Sequence, residues 1–169
     1  MIHQALVLKN YFPKRNKVTI FHEKLGVISF YVHEKQQASF LCNGSLIYCN
    51  IKKQQSSYQC DFVDAYYVPF NSATCDLYFI HDVLKLSLLF FPTATAMPEV
   101  FMIIMSLYEG LENLSTQQKK IYLLKIFLYI GVFPENKKLY QIVMQEYRLY
   151  SKDVDILLNK SLDYCWNGD

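Results

Sequence analysis

Residues 75–111, CDLYFIHDVLKLSLLFFPTATAMPEVFMIIMSLYEGL, mark the point where the apolar period of this sequence changes from two to nearly four. Before them the chain reads as strands, and after them it reads as helix. Within them Leu77, Ile80, Leu84, Leu88 and Phe91 recur at steps of three and four, while Tyr78, Asp82 and Lys85 keep a narrow polar stripe. That spacing predicts a helix buried on most of its circumference. Ser72 or Thr74 is expected to cap it, and Asp76 stands in its first turn, where the helix dipole favours an anion. Pro92 ends it. Pro98 then opens a second helix, whose apolar face is Val100, Ile104, Leu107, Tyr108 and Leu111.

Working back towards Met1, residues 4–9 set Leu6 and Leu8 against Ala5 and Val7, as an opening strand does. The loop FPKRNK at residues 12–17 is the most basic stretch of the chain. Residues 18–22 resume the alternation, residues 23–26 turn, and residues 27–32 pair back with Ile28, Phe30 and Val32 on one face. A long strand follows over residues 44–53, with Ile47, Cys49 and Ile51 on one side. A last strand covers residues 58–68, where Asp64 disturbs the pattern as a bulge would. Five strands joined mostly by hairpin-length turns predict a small, partly open barrel. The fold class expected is therefore α+β: an OB-like five-stranded β-barrel at residues 1–70, followed by an all-helical domain at residues 71–169.

Forward from the central pair, Ser115 with Gln118 reads as a capping box for a third helix carrying Ile121, Leu124, Phe127, Leu128 and Val132, ended by Gly131 and Pro134. Asn136 is expected to cap a fourth helix with Leu139, Ile142, Val143, Tyr147 and Tyr150. Ser151 opens a fifth with Val154, Leu157, Leu158 and Leu162 inward.

The chain has 169 residues, 52% of them apolar and 16% aromatic, enough for a packed core, and its net charge is only +2. The charge is unevenly placed. The first 70 residues carry eight Lys or Arg against four acids, net +4, and the other 99 carry nine against eleven, net −2. The positive excess belongs to the strand half. Cys42, Cys49, Cys60, Cys75 and Cys165 form no close pair, which points to reduced thiols in a cytoplasmic protein rather than a disulfide framework or a zinc site. Polar His3, Gln4 and Lys9 interrupt the opening apolar run, so no signal peptide is expected, and no membrane span is either.

An OB-fold binds single-stranded nucleic acid by tracking phosphates with Lys and Arg and by stacking bases on exposed aromatic rings. The cationic candidates are Lys9, Lys14, Arg15, Lys17, Lys35, Lys52 and Lys53. Tyr11, Tyr31 and Tyr48 alternate away from the expected core and are the stacking candidates. The alternative reading is that these lysines solvate a barrel surface and these tyrosines fill its outer face. No active site assembles from the residues. His3, His22, His33 and His81 are scattered without metal-ligand spacing, and His81 beside Asp82 reads as a hydrogen-bonded structural imidazole. Neither a phosphate-binding loop nor a nucleophile elbow occurs, so the chain reads as non-catalytic, with no cofactor and no metal.

The phrase FIHDVLKL at residues 79–86, at the join of a basic barrel and a helical half, resembles the RecO family of bacterial DNA repair and recombination mediators. The opening HQALVLKNYF and VTIFHEKLGVISF resemble that family's first hairpin, and MPEVF and KIFLYIGVFP fall where the family starts its second helix and ends a later one with Gly and Pro. The likeness spans about residues 3–135. It implies a RecF-pathway mediator that binds single-stranded DNA and assists RecA loading and strand annealing together with RecR. It also implies contacts with a RecR-type ring protein and with the tail of single-strand-binding protein, along apolar grooves bordered by Lys85, Lys119, Lys120 and Lys125. The chain departs from the family in two respects. The four-cysteine zinc module of many members has no counterpart, KKLY standing in its place, and the basic segment after the third strand is reduced to HEKQQ. These departures motivate a second reading, a protein-interaction adaptor with the same fold that has lost DNA binding.

Overall fold

The computed structural model describes residues 1–32, 41–55, 57–71, 75–132, 140, 143 and 151–167. Five strands, β1 (His3–Asn10), β2 (Lys17–His22), β3 (Gly26–Tyr31), β4 (Leu46–Gln54) and β5 (Ser57–Tyr67), close into a barrel in the order β1-β2-β3-β5-β4. Neighbours pair antiparallel except β3 and β5, which meet in parallel at Phe30↔Tyr58 and Tyr31↔Gln59. A single 3-10 turn, Pro69–Asn71, leaves the barrel. Helices α1 (Leu77–Phe90), α2 (Pro98–Gly110), α3 (Thr116–Tyr129) and α4 (Ser151–Asn167) follow, so the chain is an α+β protein with an OB-like barrel before its helices.

Two compact units result, Met1–Phe101 and Met102–Asp169, dividing inside α2, whereas the change from strand to helix falls near Phe70. In the first unit, alternation sends Ala5, Val7, Val18, Ile20, Ile28, Phe30, Ile47 and Cys49 into the barrel interior, as the period of two requires. Leu6 and Leu8 on the opposite face of β1 are also buried, because α1 packs against that strand. The outward Phe21 of β2 lies 4.8 Å from the Phe91 ring and 5.5 Å from the Phe101 ring. Its full burial contributes roughly 1.5–3 kcal/mol. Just beyond α1, Thr93 bridges to Val27, and the Ala94 N–H donates to the Val27 carbonyl at 2.9 Å, laying that segment along β3.

Helix α1 departs from its sequence reading in two ways. Its cap is Asp76, which accepts from the Phe79 N–H at 3.0 Å; Ser72 and Thr74 lie outside the described residues. Its buried face is Ile80, Val83, Leu84 and Ser87, while Leu77, Tyr78, His81, Asp82, Lys85, Leu88 and Leu89 are exposed. Burial therefore covers one face and not most of the circumference. Ser87 lies on the buried face with its hydroxyl donating to the Val83 carbonyl at 2.8 Å, and Leu88, one position on, is exposed. His81 is accordingly an exposed side chain, not a structural imidazole within a buried helix.

In the second unit α3 packs on α4 around Leu124, Val143, Val154 and Leu157, flanked by Ile121 and Leu158. The expected fourth helix lies outside the described residues, apart from Tyr140 and Val143, which are helical. The side chains of Cys165 and Trp166 lie outside them as well. Ser115 caps α3 as a capping box: its hydroxyl accepts from the Gln118 N–H at 3.3 Å, and its own N–H donates to Gln118 Oε1 at 2.8 Å. Ser115→Ala is expected to cost about 1 kcal/mol, and Ser115→Asp to restore most of it, measured by urea unfolding followed at 222 nm. Among the described residues no helix is long and apolar enough to cross a membrane.

Candidate nucleic-acid interface

The basic loop between β1 and β2 is held by its own side chains and by its neighbours. Asn10 at the end of β1 accepts the Phe12 N–H on Oδ1 at 2.9 Å and donates from Nδ2 to the Leu41 carbonyl at 2.9 Å. Its backbone N–H donates to Asn43 Oδ1 at 2.7 Å. The loop closes where the Tyr11 N–H donates to the Lys17 carbonyl at 3.0 Å, and the Arg15 N–H donates to the Tyr11 carbonyl at 3.1 Å. From the far side, the Val32 N–H donates to the Asn16 carbonyl at 2.8 Å. A loop ordered this way gives up little conformational entropy when a ligand settles on it.

Tyr11 sits between two cations, with Lys9 Nζ 5.0 Å and Lys17 Nζ 5.6 Å from its ring centre. Both distances fall within cation–π range. Lys14 and Arg15 are exposed at the loop tip and form no ion pair with a described residue.

Strand register then carries the basic surface across the barrel. Lys17 pairs with Tyr31, Tyr31 with Gln59, and Gln59 with Lys52. Directly opposed residues share a face, so the three pairings form one outward row crossing β2, β3, β5 and β4. Tyr31 is 62% exposed at its centre. Three inter-strand steps give the row a length of about 14 Å measured along the curved barrel wall. The neighbouring row, Val18–Phe30–Tyr58–Lys53, points the other way: Phe30 is buried and Tyr58 packs on the interior cluster. Lys53 therefore stands at the barrel rim on the opposite pleat from Lys52, although the two are adjacent in sequence.

Two other candidates have intramolecular partners. Lys52 Nζ lies 2.5 Å from Asp61 Oδ2 on β5. Tyr48 is stacked on Tyr66 with ring centres 4.4 Å apart, and Gln4 Nε2 donates to the Tyr66 hydroxyl at 3.2 Å. Tyr48 stands four residue steps from Lys52 along β4, about 13 Å. Asp64 is the register partner of Tyr48, so the bulge expected at Asp64 is not there, and the ladder instead skips Asp61 and Tyr66. The structure thus brings Lys9, Tyr11, Lys17, Tyr31 and Lys52 onto one continuous surface with Lys14 and Arg15 at its end. Tyr48 belongs to a separate aromatic pair. Lys35 and His33 lie outside the described residues. Sequence reasoning missed Gln59, Asp61 and Tyr66, whose neighbours follow from register rather than from any local pattern.

Of the four lysines assigned to partner contacts, Lys85 is exposed on α1 in the first unit, and the other three stand on α3 in the second. Lys120 is ion-paired with Asp155. Lys125 Nζ lies 5.4 Å from the centre of the Tyr122 ring, whose hydroxyl is 3.1 Å from the Ser106 hydroxyl. Lys119 is half-buried.

At another point of the barrel, strand pairing joins two histidines that the sequence sets far apart. The His3 and His22 rings meet edge to face at 5.2 Å, and His3 Nδ1 lies 2.5 Å from Glu23 Oε1. His22 is 1% exposed, its Nδ1 accepts the Lys24 N–H at 3.0 Å, and its buried Nε2 has no hydrogen-bond partner among the described residues. Burial first, and the neighbouring His3 second, push its pKa from 6.5 down to about 4, against the opposing pull of Glu23. Across β1, Cys49 is the register partner of His3. Burial, followed by the proximity of Cys60 and Glu23, pushes its thiol up to about 12, which keeps it protonated and unreactive. In comparisons with known proteins, no family model and no curated protein matches this chain.

Proposed function

We propose that this protein is a non-catalytic DNA repair and recombination mediator of the RecO kind, which holds single-stranded DNA on its barrel. In this reading it assists RecA loading and strand annealing together with a RecR-type ring protein, and it engages the tail of single-strand-binding protein. The observation that supports it most is the outward row Lys17–Tyr31–Gln59–Lys52, which continues from Tyr11 and its two flanking cations. Cations beside exposed rings on a barrel surface are what a sequence-tolerant single-strand site requires: Lys and Arg take phosphates, and aromatic faces take bases.

Fluorescence anisotropy with a labelled oligonucleotide tests this. Three to four phosphate contacts predict a salt slope of about −2 to −3 and a loss of roughly 15- to 60-fold in affinity between about 50 and 200 mM salt. Binding weaker than about 100 μM at the lower salt would remove the DNA claim. Replacing Lys14, Arg15 and Lys17 together by Ala is expected to weaken binding by about 1–3 kcal/mol, with little change in thermal unfolding because the first two side chains are exposed and form no ion pair with a described residue. An unchanged affinity would move the site elsewhere.

The adaptor reading draws support from the intramolecular partners of Lys52 and Tyr48 and from the exposed Tyr78, Leu88 and Leu89 around Lys85 on α1. Capture of a RecR-type ring protein without measurable oligonucleotide binding would favour it.

A further inference from the structure

Lys52 is the one cation of the outward row that is already occupied. Its Nζ lies 2.5 Å from Asp61 Oδ2, with the lysine side chain 65% exposed and the aspartate 30% exposed. Asp61 owes this position to a fault in the β4–β5 ladder. The register steps from Asn50↔Phe62 to Ile51↔Cys60, so Asp61 has no opposed residue of its own on β4 and stands as the extra residue of a bulge. A bulge re-aims the side chain at which it occurs, and here that side chain meets the lysine at the end of the row.

We propose that Asp61 is a built-in competitor for Lys52: its carboxylate takes the place of a phosphate, holds the end of the row neutral, and keeps the affinity of the barrel for single-stranded nucleic acid low. The proposal rests on the nucleic-acid reading above and adds a regulatory residue to that site. Its chemistry is direct. An exposed pair of this kind is weakly held and screened by salt, so a polyanion carrying many phosphates can displace the carboxylate. The displacement still costs part of the binding energy that Lys52 would otherwise supply. It also leaves the Asp61 charge beside the polyanion. Both effects reduce affinity without changing which bases are preferred, since no base edge is read by either residue.

Lys17 at the other end of the row has no carboxylate partner among the described residues and instead faces the Tyr11 ring. The row is therefore asymmetric: its loop end is open to phosphate, and its β4 end is gated.

The test is a double-mutant cycle on the full chain, with Asp61→Asn, Lys52→Ala and the double variant titrated by a labelled single-stranded oligonucleotide at about 50, 100 and 200 mM salt. Asp61→Asn is expected to tighten binding roughly two- to fivefold at the lowest salt and to steepen the salt slope by about 0.7, one phosphate contact on a single strand. In the Lys52→Ala background the gain should shrink to the part that charge repulsion alone supplies, and the salt slope should no longer steepen. Asp61→Ser, with a shorter neutral side chain, should reproduce the gain if Asn disturbs the bulge. A gain of undiminished size without Lys52 would overturn the proposal, because removal of any negative charge from the surface would then suffice. Weaker binding by both Asp61 variants would overturn it in the opposite sense, by making the carboxylate a support that orders Lys52 for its ligand. If wild type and all variants fail to bind, the nucleic-acid reading fails and this proposal goes with it; if wild type binds and Asp61 is silent, only this proposal fails.

Discussion

Acidification from pH 7 to pH 4 is expected to remove about 3 kcal/mol of stability from the barrel through His22 alone. Its folded-state pKa lies near 4 against an ordinary value of 6.5. That difference of about 2.5 units, at 1.36 kcal/mol per unit, gives about 3 kcal/mol. The sign follows from which state holds the proton. In the folded protein His22 stays neutral until about pH 4, whereas the unfolded chain takes up a proton as pH drops below 6.5. Between those values the unfolded state binds more protons, so stability falls as pH falls and flattens, for this group, below pH 4. The geometry explains why the proton is refused. The ring is buried, its Nδ1 already accepts the Lys24 N–H, and the His3 ring stands beside it. Urea unfolding at a series of pH values checks this. His22→Gln, which keeps an acceptor for the Lys24 N–H and cannot titrate, should flatten the profile between pH 6.5 and 4. An unaltered profile in that variant would show that His22 is not the group responsible.

Gly26→Ala is expected to cost at least about 3 kcal/mol, the sum of a left-handed backbone penalty of roughly 1–2 kcal/mol and a steric conflict that only movement can relieve. Gly26 opens β3 with φ +69°, and a Cβ built there would lie 1.9 Å from the Thr95 carbonyl oxygen and 2.6 Å from its carbon. Both contacts are with backbone, so no side-chain rotation can make room. The segment that bridges to β3 through Thr93 and Ala94 would have to lift away, taking its hydrogen bond to Val27 with it. Gly131 provides the comparison. Its φ is +81°, but nothing lies within 4 Å of a Cβ at that position, so Gly131→Ala should cost only the backbone penalty, about 1 kcal/mol. Equal losses from the two substitutions would refute the steric account.

Much of this architecture is written in short-range pattern. Ile28 with Phe30, and Ile47 with Cys49, alternate because a strand shows opposite faces in turn, and those residues do line the barrel interior. Ser115 with Gln118 announces α3, and Pro98 announces α2, because a cap or a first-turn proline acts within one turn of helix. Such signals involve residues no more than about four apart, and a linear reading contains them entirely.

The faces of α1 show where that reading stops. VLKLSLLFF is apolar almost all round, so its periodicity identifies a helix without saying which side is covered. Packing against β1 chose Ile80, Val83, Leu84 and Ser87 and left Leu88 and Leu89 in solvent. The candidate site divides in the same way. Its cationic loop is a run of neighbours in the chain and stands out as such. Its row is assembled from Lys17, Tyr31, Gln59 and Lys52, which are brought side by side by hydrogen-bond register between strands distant in sequence. Asp61 reaches Lys52, and Tyr66 reaches Tyr48, through that same pairing. Composition and period settle which segments form strands and helices, because those preferences are local. Which charges and rings become neighbours depends on long-range pairing and on the two register shifts between β4 and β5, where a shift of a single residue would send each side chain to the other face of the sheet.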